Sequence, residues 1–517
     1  MKRLGITTAA ALAAVVLFLL ATLPPAPSQF SLDGADPDLT RRTIRGAYHI
    51  HTLRSDGAES VDDVAAAAAR AGLQFAIFTD HGDGTRRPDP PRYIDGVLCL
   101  DGVEISTDDG HYVGLGLPAA PYPLGGHASA VVEDVARLGG IGIVAHPFHP
   151  NPQLSWTAWD LPFDGIELLN ADVEWRNESS LRLARVLFDY VLRPAASVAS
   201  VFDRPTAALA RWDEQSSRRP LVGLAGADAH GSRTGGLEEG KRRFAPGPGY
   251  QASFGAFTNR LILTAPLSGE PSADAALILE AIRARRVYTV IDAVADGVLL
   301  GHGPRGFSLA STLPGDAEVR PFRAEGRTRV EVDLPGAPGS PPMPWIVTNW
   351  AGESPIGPDA ESPSMPAEDR IQLASDWRVE KHPDSAGQVT VSEGALTLQY
   401  QLAPGERRSQ FVAAVADLVE VPLARISFSA RAQSPMRVSV QLRFAPEDLR
   451  WGRSIYLDST EREFSFDVSS WRSADRSGRP VPSGAPRSLL FVVDLVNARP
   501  GDQGLFTVHD IRAGGPP

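Results

Sequence analysis

The sequence predicts an α/β domain built on a mainly parallel sheet or barrel, followed by a small β extension and an all-β sandwich. Three observations predict this. Between residues 40 and 290 short apolar runs alternate with stretches of helical spacing, the pattern of strand–helix repeats. After Val290 the runs shorten and are divided by Gly and Pro, as in sheets joined by turns. The chain has 517 residues, more than one core accommodates.

In the first domain, Gly46–His51, Gln74–Thr79, Gly96–Ser106, His111–Leu117, Ile141–Ala145, Gly165–Leu169 and Leu221–Ala225 read as strands. Val61–Ala71, Ala130–Leu138, Glu178–Val191 and Pro205–Asp213 read as the helices between them, and Ala275–Arg285 closes the unit. Residues 291–352 form the extension, read as short strands docked on the first domain. Residues 353–370, rich in Pro, Ser, Glu and Gly without periodicity, read as a linker. In the last segment, 371–517, short runs such as Ala395–Gln401, Met436–Phe444 and Leu489–Val496, several of them alternating, suggest a β-sandwich.

The N-terminus suggests export. Lys2 and Arg3 precede an uncharged apolar stretch, Leu4–Leu23, and a Pro-rich segment follows. Residues 1–28 therefore read as a signal peptide or, since some 20 apolar residues span a bilayer, as a membrane anchor. Either places the rest of the chain in the periplasm or cell envelope, with the membrane touched only through this segment. The 50 basic and 62 acidic residues give a net charge of -12, which disfavours a nucleic-acid duplex as partner. The single cysteine, Cys99, lies in the apolar run Val97–Leu100, so any metal must be held by histidine and carboxylate.

Eight of the 11 histidines fall in the first domain. The motifs His49-Ile50-His51, Thr79-Asp80-His81, Gly102-Val103-Glu104, Ala145-His146-Pro147 and Asp228-Ala229-His230 each lie at or just past a predicted strand end. In a parallel barrel those ends open on one face, so residues distant in sequence converge. His49 and His51, two apart on a strand, point the same way, and Asp228 and His230 repeat the spacing. Imidazoles and carboxylates without thiolates suit Zn, Mn or Fe. Each motif alone is weak; five in order are not.

These motifs, with Ser55-Asp56-Gly57 after the first, resemble those of the PHP (polymerase and histidinol phosphatase) superfamily over residues 45 to 290. The resemblance implies a distorted (βα)7 barrel holding two or three divalent ions. By motif, His49, His51, Glu104 and Asp228 would hold one ion, Asp56, His81 and His230 a second, and Glu104 with His146 a third. Where many members carry a further histidine, this chain reads Glu167-Leu168-Leu169-Asn170. Gly110-His111 before Tyr112-Val113-Gly114 is similar to the carbaryl-hydrolase-like branch, whose members cleave carbamate esters.

The expected function is an exported metal-dependent phosphoesterase acting on a small-molecule ester. Its metals would supply hydroxide from bound water at neutral pH. Asp228 would take the water's proton or orient the water, Glu104 would bridge the ions, and a protonated histidine or a metal would aid the leaving oxygen; His230 is the third candidate catalytic residue. Arg87, Arg233 and His111 are candidate substrate contacts. The alternatives are a carboxylic or carbamate ester hydrolase and a non-catalytic glycan-binding envelope protein. Pattern makes the sandwich similar to carbohydrate-binding and galactose-binding-like modules, with Trp377, Trp451, Tyr456 and Trp471 as candidate stacking faces. Trp156, Trp159 and Trp175 are candidate walls of an apolar pocket.

Overall fold

The computed structural model describes most of residues 23–515, and among residues 1–22 only 13, 14, 16 and 17. Residues 232–246, 312–317, 334–343 and 353–368 and a few shorter stretches lie outside the described residues. Most of the N-terminal leader, most of the linker, and Arg233 therefore fall outside them.

Seven strands form the first sheet segment: β1 (Thr43–Tyr48), β2 (Phe75–Phe78), β3 (Val97–Thr107), β4 (Gly110–Leu115), β5 (Ile141–Val144), β6 (Gly165–Asn170) and β7 (Val222–Gly226). They hydrogen-bond in sequence order. β1, β2 and β3 run parallel, as do β5, β6 and β7. β3 and β4 make a hairpin, and β4 is also antiparallel to β5. That hairpin replaces one expected helical crossover, so the sheet is mixed rather than purely parallel.

Nine α-helices occur among the described residues: α1 (Pro37–Arg42), α2 (Val61–Arg70), α3 (Ala128–Arg137), α4 (Ala171–Asn177), α5 (Ser180–Tyr190), α6 (Pro194–Ala199), α7 (Thr206–Ser216), α8 (Tyr250–Ala256) and α9 (Pro271–Arg283). Their ends follow local chemistry. Ser60 caps α2 by accepting from Asp63 N, acids fill its first turn and Arg70 its last, which suits the helix dipole. Glu270 caps α9, with Pro271 at its first position.

The sheet curls until β7 returns to β1. Ala227 N donates to Tyr48 O at 2.8 Å and His51 N to Ala229 O at 3.0 Å. Elsewhere side-chain amides close the seam. Asn259, on β8 (Thr258–Ile262), accepts from Ala225 N at 3.0 Å and donates to Ala225 O at 2.8 Å. Asn349 accepts from Gly223 N at 2.7 Å and donates to Gly223 O and to Val287 O, on β9 (Val287–Val290). Inside the curl Tyr48, Phe75, Ile77, Leu98, Ile143 and Leu224 are buried together.

The extension is not a separate layer. β8 pairs with β1, and β9, β12 (Pro344–Thr348), β11 (Arg327–Asp333) and β10 (Glu318–Ala324) continue the same sheet in antiparallel fashion. Arg329, 2% exposed, anchors it by forked bonds to Asp213 of α7 at 2.8 and 2.7 Å.

The C-terminal segment is a sandwich of two six-stranded sheets. One contains β13 (Arg378–Lys381), β16 (Phe411–Asp417), β18 (Met436–Phe444), β19 (Leu449–Leu457) and β21 (Ser488–Asp494). The other contains β14 (Ala386–Ser392), β15 (Ala395–Gln401), β17 (Arg425–Ala432), β20 (Arg462–Asp467) and β22 (Gln503–Gly514). Alternation in β15, with Leu396, Leu398 and Tyr400 inward, shows how the period-2 pattern builds the core. The sandwich is docked on the barrel. Arg437, its side chain fully buried, reaches Asp134 of α3 at 2.7 and 2.9 Å, and Arg137 lies 3.6 Å over the Tyr456 ring.

Candidate metal centre

The predicted motifs meet at the C-terminal ends of the parallel strands. Three of their residues leave the strands in left-handed backbone: His49 (φ 65°) after β1, His146 (φ 26°) after β5 and Asp228 (φ 44°) after β7. Each such non-glycine residue costs about 1–3 kcal/mol and persists where the surroundings demand it.

Glu104, on β3 and 1% exposed, is the hub. Its Oε2 lies 3.2 Å from each of His49 Nε2, His51 Nε2 and His81 Nδ1. Its Oε1 lies 2.8 Å from His111 Nδ1 and 3.0 Å from His146 Nε2. Asp228 Oδ1 stands 3.4 Å from His49 Nε2 and 3.2 Å from His51 Nε2. At the open rim, Asp56 Oδ2 is 3.2 Å from His230 Nε2 and 3.7 Å from His81 Nε2. All eight expected ligands are thus brought together, as are the three expected catalytic residues.

The grouping differs in detail from the motif-based one. Three sets have ligand atoms within 4.8 Å of one another: His51, Asp56, His81 and His230; His49, His51 and Glu104; and His81, Glu104 and His111. His51 is shared between two sets, and His111, expected as a substrate contact, stands within the cluster. Asp228 and His146 adjoin it through His51 and Glu104.

The donor set fits divalent cations. His49 Nε2, His51 Nε2, His81 Nδ1 and Glu104 Oε2 are buried without a hydrogen-bond partner, although they crowd together. Ligands about 2.1 Å from one cation lie about 3.0–3.4 Å apart, the spacing seen around Glu104 Oε2. Charge balance points the same way. Burial works against protonated His49, yet Glu167, Asp228 and Glu104 carry its pKa well above the usual value. Burial likewise opposes the charge on Glu104 and Asp228, but the histidines, His49 foremost, hold both carboxyls well below theirs. Protons supply the positive charge that the carboxylates demand when no cation does.

Sequence reading missed the supports beneath this cluster. Glu167, 1% exposed, meets His49 Nδ1 at 2.5 Å and accepts from His146 N at 2.8 Å and Asn170 Nδ2 at 2.9 Å. It is a carboxylate–histidine pair that fixes the imidazole's tautomer. An acid inside the apolar run Gly165–Leu169 was the available signal. Tyr250 carried none. Its hydroxyl lies 2.9 Å from both His51 O and His230 O and accepts from Ala58 N at 3.1 Å, joining the segments after β1 and β7. Asp80 accepts from Thr52 N and Ser55 Oγ, both at 2.7 Å, and so holds the loop that carries Asp56.

The substrate side agrees less with expectation. Arg87 is exposed and does not line the cavity of about 360 Å³ beside His81. That cavity is lined by Arg54, Arg86 and, from the sandwich, Arg499. Arg54 and Arg86 pair with Asp101 at 2.9 and 2.7 Å, and Arg499 lies 3.6 Å from Asp83. Trp156 and Trp175 are buried in cores, and Trp159 packs partly buried beside the first. The proposed stacking aromatics of the sandwich are corrected too. Trp451, Tyr456 and Trp471 are 3%, 6% and 3% exposed; the two tryptophans lie in the sandwich core with Trp377 packed on it, and Tyr456 is covered by Tyr122 and Arg137 of the first domain.

No protein-family model matches this chain, and no curated protein matches it. Among solved structures, it is similar to a family 11 carbohydrate-binding module of a cellulosomal cellulase of Clostridium thermocellum. Identity is 18%, covering 30% of this chain and 97% of that one, with a TM-score of 0.24. A family 11 module from the same organism, in complex with a β-1,3-1,4-mixed-linked tetrasaccharide, has 16% identity over 29% of this chain and 98% of that one, with a TM-score of 0.24. A substituted family 29 carbohydrate-binding module has 9% identity over 28% and 88%, with a TM-score of 0.19. Likeness at this level assigns no function.

Proposed function

We propose that the chain is a metal-dependent hydrolase of the PHP type whose active centre is the Glu104 cluster. The observation that carries the reading is the convergence of three buried, unpartnered imidazole nitrogens at 3.2 Å on Glu104 Oε2, itself without a hydrogen-bond partner. His49, His51, Glu104 and Asp228 would hold one ion; Asp56, His81 and His230, with His51 between, would hold another; Glu104, His111 and His146 offer a third place.

Divalent cations there supply Lewis-acid polarisation of an ester oxygen and acidify a water. The chain's own residues do the rest. Asp228, an anion buried against two imidazoles, orients the attacking water and receives its proton. Glu104 keeps the five surrounding imidazoles in register. His230, its Nδ1 donating to the Asp228 carbonyl at 2.8 Å, turns Nε2 to the rim beside Asp56 as a ligand, and the proton that Asp228 takes from the water passes to the leaving oxygen. Tyr250 and Glu167 hold these groups still.

Phosphate esters are the first substrate class. One observation favours carboxylic or carbamate esters as the second: each arginine lining the cavity beside His81 already faces an aspartate, leaving little for a phosphate dianion. Aryl phosphate, phosphodiester and naphthyl carbamate assayed in parallel on one Mn- or Zn-loaded preparation separate the classes. Metal content without turnover of any ester would refute the hydrolase and leave the glycan-binding reading. For that reading the sandwich offers an uncharged hollow of about 550 Å³, rimmed by Gln388, Gln399, Gln401, Gln433 and Gln503. Their amides both donate to and accept from hydroxyl groups. Affinity electrophoresis through mixed-linked glucan tests it. The leader is proposed as an export signal retained as an anchor; flotation of the full chain with lipid vesicles tests that.

A further inference from the structure

Helix α5 is apolar on both its faces. Its inner face carries Leu183, Val186, Asp189 and Tyr190, with Asp189 5% exposed. Outward stand Leu181 at 84%, Phe188 at 64%, Val191 at 81% and Leu192 at 60% exposed, with Leu187 at 42%. Residues 181, 184, 188 and 191 fall at helical spacing, so with Ala184 they form one stripe. Scattered apolar residues on a surface need no explanation, but a contiguous stripe marks a contact.

The same place is where the N-terminal segment arrives. Arg193, directly after Leu192, donates from Nη1 to the carbonyl oxygen of Pro24. Pro24 follows Leu4–Leu23, the uncharged apolar stretch. As a helix those 20 residues are about 30 Å long, the thickness of a bilayer core. A chain anchored by that stretch would leave the bilayer at Pro24, with Val191 and Leu192 beside the exit.

We propose that the outer face of α5 lies in the lipid interface, as a second membrane contact next to the anchor. This rests on the reading of the leader as a retained anchor. An amphipathic helix in this position buries its apolar face about 5–10 Å into the headgroup boundary. The barrel is then fixed against the membrane at two points and cannot swing freely on its tether.

The native chain suits the test, because its one cysteine, Cys99, is buried and burial pushes its thiol up to about 12. Phe188→Cys, Val191→Cys and, as a control on the sandwich, Ser465→Cys are labelled with bimane in the full chain. Each is reconstituted in vesicles of phosphatidylcholine and phosphatidylglycerol. Bromine-labelled lipid is expected to quench the labels at 188 and 191 about two-fold or more, and the label at 465 not at all. Quenching of 188 and 191 by aqueous iodide in vesicles, with no effect of brominated lipid, overturns the proposal. So does shielding of the label at 188 from iodide without any quenching by bromine-labelled lipid, which assigns the stripe to a protein contact such as a second copy of the chain. A wild-type chain that does not float with the vesicles removes the anchor itself, a separate failure.

Discussion

Glu104→Gln probes the centre most directly. The substitution keeps the volume and removes the charge, and it puts an amide where one carboxylate oxygen faced imidazole nitrogens. Oε2 has three such neighbours at 3.2 Å, and Oε1 has two at 2.8 and 3.0 Å. The residue is 1% exposed, so water cannot replace what is lost. Removing one partner from a buried ionic set costs about 3–5 kcal/mol. At about 1.4 kcal/mol per decade, metal affinity should fall by about two to three and a half orders of magnitude. Calorimetric titration of the apo protein with Mn²⁺ or Zn²⁺, with elemental analysis, reads this directly. Undiminished stoichiometry and affinity in Glu104→Gln would refute the assignment of Glu104 as hub.

Other predictions follow the same logic. Tyr250→Phe keeps the ring and removes only the hydroxyl that joins the segments after β1 and β7; metal affinity should drop about 10-fold while the apo melting temperature barely moves. Arg437→Ala leaves Asp134 buried with only Tyr122 and Arg137 as partners; urea unfolding should show a loss of about 3 kcal/mol. The pH dependence has opposite signs with and without metal. Burial pushes His51 down, but hydrogen bonds to Asp228 and Glu104 carry it up to about 10 from 6.5. In the apo protein these contacts stabilise the fold fully below 6.5 and fade as pH rises through about 10. A metal must displace those protons, so calorimetry should find tighter binding at about pH 8 than at about pH 6.

What sequence revealed divides along physical lines. The convergence of histidines and acids at strand ends was legible because metal chemistry restricts residue type and parallel topology restricts position. The strands β1 to β7 were legible because their burial leaves unbroken apolar runs. β8 and β9 were not: Thr258–Ile262 carries Asn259 and Arg260, whose roles are the seam and the Asp292 pair, so no alternation survives. Glu167 read as a departure from a motif, whereas its carboxylate steadies His49 and His146. Tyr250 lies some twenty residues past the last motif, and nothing in its neighbourhood signals that a phenol will reach two carbonyls. The sandwich aromatics misled because a ring buried in a core, as Trp451 is, or under a neighbouring domain, as Tyr456 is, looks the same in sequence as one presented to a ligand.

The amide-closed seam decides where this protein can be cut. A fragment ending at residue 290, the boundary the sequence suggests for the catalytic unit, would keep every metal ligand yet lose Asn349. Gly223 N and both carbonyls that Asn349 serves would then face a dry gap between β7 and β9 with nothing to bond. The minimal folding unit of the domain that carries the candidate metal centre therefore includes Asn349, and the strands beyond 290 are the hasp of the curled sheet.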